Sequence, residues 1–231
     1  MSEENNANAR QEEFYRQGKE KYLHYANADD LREAIECFRQ ADDYKQSASY
    51  IEKCETLLAY MPGCEVTFGC FEGKPIRWQV VDRRGTMRLL LAKEIVTRRH
   101  YHRTTLEDAT WSDCSLRKWL NQDFLNSAFT PAERLKIVPC KLANLRNRRF
   151  YTQGGPDTMD RVHVPGIEEI ERYLPDPQSR AGDGWWWLRS PGSNLFSAVA
   201  VYDDGTIYEN GIHIDYELSG VRPALWVLLK V

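Results

Sequence analysis

The chain has 231 residues, a formal net charge of −3, 42% hydrophobic and 28% charged residues, 7 Trp and 12 Tyr. That length suits one or two domains, and the composition supplies a core, whereas disorder needs low hydrophobicity with high net charge. A balance this close to neutral offers no concentrated basic surface for nucleic acid or an anionic membrane, so neither is expected as a partner.

The opening stretch MSEENNANARQEEFYRQ has no apolar h-region and does not read as a signal peptide. No apolar run approaches the ~20 residues of a bilayer span. The cysteines Cys37, Cys54, Cys64, Cys70, Cys114 and Cys140 lack paired C-x-x-C spacing and read as reduced, small apolar residues of a cytoplasmic protein.

Residues 1–9 are expected to fray. A helix is predicted from Arg10 to Ala26, broken at Asn27-Ala28-Asp29, with Asp29 or Asp30 capping the next. That second helix carries Leu31, Ala34, Ile35, Phe38 and Ala41 as one apolar stripe. A third runs from Tyr44 to Leu58, with Ala48, Ile51 and Leu57 or Leu58 inward, and Met61-Pro62-Gly63 ends it. Short amphipathic helices cannot bury their stripes alone, so residues 1–61 form an all-α helical hairpin module that packs on itself and on its third helix.

Residues 62–231 change periodicity. Glu65–Phe68, Pro75–Val81 and Thr86–Leu91 read as a β-meander with Gly73 and Gly85 in its turns. Trp111 to Phe124 reverts to helix, with Ser112 or Asp113 as cap and Leu116, Trp119, Leu120 and Phe124 on one side. Thr130-Pro131-Ala132-Glu133 is a capping box, Val162–Val164 a strand and Ile167–Tyr173 a short helix. After Trp185 come Trp186-Trp187-Leu188, a turn at Ser190-Pro191-Gly192, Ala198–Val201, a turn at Asp203-Asp204-Gly205, Thr206–Tyr208, a turn at Glu209-Asn210-Gly211, Ile212–Ile214, and a last strand Val221 to Leu229. Strands, then helices, then strands make an α+β domain whose first and last strands share a sheet.

Two resemblances follow from particular residues. The spacing Phe14, Gly18, Ala34, Phe38, Ala41 resembles a tetratricopeptide-type repeat with a lengthened turn. There is one copy, whereas such arrays need about three, so a docking or spacer role is expected. The pieces Pro75-Ile76-Arg77-Trp78, Trp111-Ser112, Leu116-Arg117-Lys118-Trp119-Leu120-Asn121, Phe124, Ala128-Phe129, Asp157-Thr158-Met159-Asp160, Trp186-Trp187-Leu188-Arg189-Ser190-Pro191-Gly192 and Gly220-Val221-Arg222-Pro223-Ala224-Leu225-Trp226 resemble a bacterial and phage domain family of uncharacterised function. The last motif is also similar to the end of C-type-lectin-like domains of the formylglycine-generating-enzyme type. The resemblance implies that fold over residues 62–231. Pro165-Gly166 departs from the family, which usually has a Ser there, and the stretch between Tyr173 and Trp185 is shorter than usual.

Catalytic signatures are missing from the residues. A formylglycine-generating mechanism needs a late cysteine pair, and no Cys follows Cys140. Ser190 has no G-x-S-x-G frame and reads as a turn cap. His100 and His102 form an H-x-H with no third ligand at a recognisable spacing, so no metal is expected. The sugar-binding tripeptides Glu-Pro-Asn, Gln-Pro-Asp and Trp-Asn-Asp do not occur. Strand alternation puts at least one of Trp185, Trp186 and Trp187 in the core and another at the surface. The basic run Arg146, Arg148, Arg149, near Lys136 and Lys141, reads as a solvated face. The expectation is a protein that is not an enzyme and carries no cofactor.

Between residues 193 and 219, Asn194, Phe196, Ser197, Tyr202, Asp203, Asp204, Tyr208, Asn210, His213, Asp215 and Tyr216 interleave with small or aliphatic framework residues. Tyr, Ser, Asn and Asp on a rigid scaffold are the composition of a binding surface. Parity sets His213 and Asp215 against Ile212 and Ile214, and Tyr208 against Ile207, so one solvent-facing patch is expected. Trp187, Leu188, Val221, Pro223, Leu225 and Trp226 are expected to be buried, with Arg189 and Arg222 paired among them. Proteins resembling this one are variable proteins of diversity-generating retroelements, whose adenine mutagenesis never yields Lys, Glu, Gln, Met or Trp from an Asn codon. Within Ser193–Ser219 only Glu209 and Glu217 belong to that set. The expected function is display of a surface for an unknown protein or other macromolecular ligand. The alternative is a structural or assembly module acting through the helical hairpin.

Overall fold

A computed structural model describes residues 2–104 and 108–230. It divides into two compact units, one running to Cys64 and taking in the chain again from Leu229, the other being Glu65–Leu228.

The first unit holds α1 (Ser2–His24), α2 (Ala28–Gln40) and α3 (Ser47–Ala59). Helix α1 starts well before Arg10, and its first turns have no Gly or Pro to break it. The cap of α2 is Asn27, whose Oδ1 accepts the amides of Asp29 and Asp30 at 2.8 and 3.1 Å. Asp30 reciprocates by accepting the Asn27 amide at 3.0 Å, so it closes a capping box from inside the helix. Helix α3 begins at Ser47, later than Tyr44, after Asp42 and Lys45 both take positive φ.

Leu31, Ala34, Ile35 and Phe38 of α2 meet Cys54 and Leu57 of α3 in the core of this unit, and Leu229 packs against it. Phe38 stacks on Tyr50 with centroids 5.0 Å apart, and Tyr15 meets Phe38 edge-on at 5.8 Å. A Cβ on Gly18 would stand 2.9 Å from the Phe38 ring, which is why α1 carries a glycine there despite its helix cost.

The second unit runs β1 (Glu65–Phe71), β2 (Lys74–Arg84), β3 (Met87–Ala92), β4 (Thr97–Arg98), α4 (Ser115–Trp119), a π turn (Leu120–Phe124), α5 (Leu125–Ala128), α6 (Pro131–Arg134), β5 (Ile137–Val138), β6 (Cys140–Leu142), β7 (Thr158–Asp160), β8 (Val162–His163), α7 (Ile167–Tyr173), α8 (Pro177–Arg180), β9 (Trp186–Pro191), β10 (Ser197–Val201), β11 (Ile207–His213), β12 (Gly220–Val221) and β13 (Ala224–Leu228). One sheet is ordered β1-β2-β3-β13-β5, with β8 also on β13; a second is β11-β10-β9-β12-β4; β6 and β7 form a small third. The last long strand therefore lies beside the opening meander.

Leu89, Leu91, Ala224 and Trp226 of the first sheet share a core with Trp186, Leu188, Val199 and Val201 of the second, closed by Ile167, Ile170 and Leu174. The predicted framework residues Trp187, Leu188, Val221, Pro223, Leu225 and Trp226 are buried. Arg189 pairs with Glu169 (NH2 to Oε1 at 2.9 Å), and burial alone would raise the Glu169 carboxyl, but the guanidinium holds it below the ordinary value. Arg222 donates to the carbonyls of Ala92 and Arg180 at 3.0 and 3.1 Å and lies 4.5 Å over the Trp186 ring.

Several local expectations need correction. The helix cap is Cys114, whose Sγ accepts the Arg117 amide at 3.4 Å, while Asp113 turns back to the Thr110 amide. The helix also passes Phe124 through the π turn. There Asn121 accepts the Arg161 and Val162 amides at 2.9 and 3.2 Å, tying the turn to β8. Strand β9 continues through Pro191, and Ser190 Oγ accepts the Ile167 amide at 3.1 Å, so it caps α7 rather than a turn. Val221 to Leu229 is two strands: the chain leaves the second sheet after β12, crosses Arg222-Pro223 and joins the first as β13. Pro223, with no amide hydrogen, suits that break.

Candidate functional site

The site grows from the alternation of β9, β10 and β11. Val199, Val201 and Ile207 face the shared core. The cross-strand pair Ala200↔Tyr208 therefore faces the other way, together with Trp187, which also pairs with Ala200. Over Trp187 this outer face is covered by Tyr101, whose ring centroid lies 5.6 Å away. Nearer the β11 edge it is open. Two residues before Trp187 stands Trp185, two after Ala200 stands Tyr202, and the three rings Trp185, Tyr202 and Tyr208 form a continuous row. The centroids are 4.2 Å apart for Trp185–Tyr202 and 5.0 Å for Tyr202–Tyr208, with interplanar angles of 31° and 22°.

The row leads into a shallow concavity of about 480 Å³ lined by Ser193, Asn194, Phe196, Ser197, Tyr208, Asn210, Gly211 and His213. Its walls depend on an irregular stretch of β11. The register with β10 shifts between Ala198↔Ile212 and Ala200↔Tyr208, so β11 carries extra residues around Asn210-Gly211. The sequence signal predicts a hairpin turn here; the structure spends it on a bulge inside one strand. Gly211 takes φ +77°, which is what both motifs require of an Asn-Gly pair. The bulged Asn210 carbonyl then accepts the Ser193 amide at 2.8 Å, docking the 192–197 loop on β11.

Ser197 does not belong to the exposed surface. It is 8% exposed, its hydroxyl donates to the Asn194 carbonyl at 3.1 Å, and its carbonyl accepts the Gly192 amide at 2.7 Å. Its part is to hold the loop. Asn194 Oδ1 accepts the Phe196 amide at 2.9 Å and sets that exposed ring at the rim. Asp203 and Asp204 sit in an exposed turn closed by Gly205 N to Tyr202 O at 3.0 Å, and the Asp204 carboxylate accepts the Thr206 amide at 2.8 Å. Asp215 and Tyr216 are exposed beyond β11 and do not line the concavity. Of the eleven candidates, then, Asn194, Phe196, Ser197, Tyr208, Asn210 and His213 converge, Tyr202 joins by stacking, and Asp203, Asp204, Asp215 and Tyr216 lie outside.

Two contributors were missed. Trp185 belongs to the site through its stack, a placement that alternation implies once Trp187 is known to face outward. Asn147 is fully buried, and its Nδ2 donates to the carbonyls of Pro191 and Glu209 at 2.8 and 2.9 Å, pinning β9 to β11 from below. Next to it, Arg148 grips Glu171 through two N–H groups at 2.7 and 2.8 Å and Glu209 at 2.7 Å. These carboxylates hold its guanidinium charged more firmly than usual. Arg148 is therefore a tie rather than part of a merely solvated run, and no local pattern marks its partners 23 and 61 residues away.

Burial pushes the Cys114 thiol up to about 12 and the Cys140 thiol to about 11, so neither is a ready thiolate near neutrality. Among the described residues no three His, Cys, Asp or Glu side chains gather as a metal site, and no helix is long and apolar enough to cross a membrane.

A family model described as "Domain of unknown function (DUF6273)" matches residues 86–229. No curated protein and no solved structure matches the chain.

Proposed function

The chain belongs to the DUF6273 family of domains of unknown function, and on that footing we propose that it is a cytoplasmic display protein that binds a protein or other macromolecule without catalysis. The observation that carries this reading is the aromatic row Trp185–Tyr202–Tyr208 opening into the concavity bounded by Phe196, Asn210 and His213. Side chains with rigid rings and adaptable amides are suited to contact at low entropy cost. The open, shallow form fits a surface partner better than an engulfed small molecule. In this reading the Glu65–Leu228 unit is a C-type-lectin-like scaffold, an assignment supported by its first and last strands lying in one sheet and by the Gly220–Trp226 motif. We read the 193–219 segment as the variable region of a diversity-generating retroelement, because the residues lining the concavity fall within it and, of Lys, Glu, Gln, Met and Trp, only Glu209 and Glu217 occur there.

The test compares immobilised wild type with a Phe196→Ala/Tyr208→Ala/His213→Ala variant in quantitative partner capture, with thermal melts alongside. Saturable partners should disappear from the variant while the melting temperature stays near that of wild type. Identical capture by a folded variant would overturn the binding reading. Sequencing the coding region of many isolates addresses diversification separately: substitutions should concentrate at adenines within codons 193–219, and an invariant segment would remove the retroelement part alone.

A further inference from the structure

A second cleft shares no lining residue with the concavity, and the display reading does not use it. The segment after β4 is held by backbone bonds, Arg99 N to Ser219 O at 3.0 Å and His102 N to Ile214 O at 2.7 Å. Tyr101 is the buried anchor between them, its hydroxyl donating to Arg189 O at 3.0 Å. His100 and His102, on either side of Tyr101, line instead a cleft of about 360 Å³ with Arg99, Arg103, Lys118 and Trp119. The singled-out H-x-H is thus brought against three permanent cations.

The cleft gathers several cations that no carboxylate among the described residues neutralises directly. Arg77, Lys93, Arg117, Arg148, Arg172 and Arg189 each have a carboxylate partner. Arg99, Arg103 and Lys118 have none among the described residues. The acidic groups nearby are Asp123 on the rim and Glu217 within range of His100. Arg99 is held 4.4 Å over the Trp119 ring, which steadies the guanidinium without neutralising it. His102 Nδ1 accepts the Ser115 amide at 3.3 Å, so the neutral ring carries its proton on Nε2 and remains a donor. The first amides of α4 are already used, Ser115 by His102 and Leu116 by the Tyr101 carbonyl at 3.0 Å, so the recognition elements are the side chains.

We propose that this cleft binds a small anion bearing phosphate or sulfate groups, with Arg99, Arg103 and Lys118 supplying charge and His102 a neutral donor. Three cations gathered with only Asp123 and Glu217 nearby repel one another, and a multivalent oxyanion removes that cost while accepting several charge-assisted hydrogen bonds. The volume suits a small phosphorylated or sulfated molecule. His100 makes the site pH-linked. Burial, then Arg99 and Arg103, then His102 hold its imidazole below the ordinary value, against the opposing pull of Glu217. Lys118 and Asp123 also line the cleft. A bound anion offsets the cations and raises that value, so binding takes up protons and strengthens as pH falls.

The experiment is calorimetric titration of the full chain with inorganic phosphate, inorganic sulfate, fructose 1,6-bisphosphate and, as controls, chloride and a single-stranded oligonucleotide. The bisphosphate should bind one per chain and at least about tenfold more tightly than phosphate. Arg103→Glu/Lys118→Glu, at exposed positions without ion-pair partners, should weaken it by at least about tenfold with an unchanged melt. His100→Gln should flatten the rise in affinity between pH 8 and pH 6 while leaving binding at pH 8 intact. Absence of saturable binding, wild-type affinity in the folded double variant, or saturable binding of the oligonucleotide alone would each overturn the proposal. The residues lie outside 193–219, so its failure leaves the display reading standing.

Discussion

His163 shows how much a single buried group can set. The ring is 2% exposed, its Nδ1 has no partner among the described residues, and burial pushes its value down to about 4, with Arg189 adding to the fall and Glu169 and Asp160 opposing it. The folded value lies below the unfolded value of 6.5, so the unfolded chain binds the extra proton as pH falls from 6.5 toward 4. Stability is lost over that window. Glu169, depressed by Arg189, adds its own loss only on going below its ordinary 4.5. Between pH 7 and about pH 5 the His163 contribution should be on the order of 2 kcal/mol, the linkage value for roughly 1.5 units of protonation difference. Urea unfolding across that range should show the decline in wild type and a shallower one in His163→Gln; parallel slopes would rule this out. Residue roles were legible where chemistry forced them: Arg189 and Arg222, flanked by apolar neighbours, had to find acceptors. Asn147 was not legible, because its value lies in two carbonyls 44 and 62 residues further on.

Elements with complete local signals were read with near-correct bounds. The Thr130–Glu133 capping box starts α6, and α7 spans Ile167–Tyr173 as its pattern implies. Asn210-Gly211 was misplaced because the local signal specifies a positive φ and leaves the motif open; pairing with β10 decides for a bulge. That bulge makes a sharp prediction. Gly211 and Gly73 share φ +77°, but a Cβ at Gly73 meets nothing within 4 Å, whereas at Gly211 it would lie 2.7 Å from Ala198 O and 2.9 Å from Gly192 Cα. Gly73→Ala should therefore show the backbone strain alone, roughly 1–2 kcal/mol. Gly211→Ala should cost at least about 1 kcal/mol more, since backbone atoms cannot yield as a side-chain tip can. It should also weaken partner capture by lifting the 192–197 loop off β11. Equal denaturation midpoints for the two variants would mean that the bulge is not held by this close approach.

At the scale of the whole molecule, the switch of periodicity after Met61-Pro62-Gly63 sets a domain boundary after residue 61 in the sequence, and the structure divides into compact units between Cys64 and Glu65. What the pattern hid is the return of the chain to the first unit at Leu229. Val221 to Leu229 is apolar almost throughout, and a run of that kind does not announce where one core ends and another begins. The helical unit is small, and units of about 60 residues are marginal because so little surface is buried. Leu229 is half-buried against the core of Leu31, Phe38, Cys54 and Leu57 and closes it from outside the three helices. Leu229→Ala should then cost the helical unit about 1 kcal/mol, half the value of a fully buried leucine. Because β13 ends at Leu228, the sheet pairing of Trp226 with Leu89 should be untouched. Amide exchange reads the two units separately: protection in α2 and α3 should fall in Leu229→Ala while that of β3 and β13 holds. Unchanged exchange in α2 and α3 would show that the three helices complete their core without the returning residue.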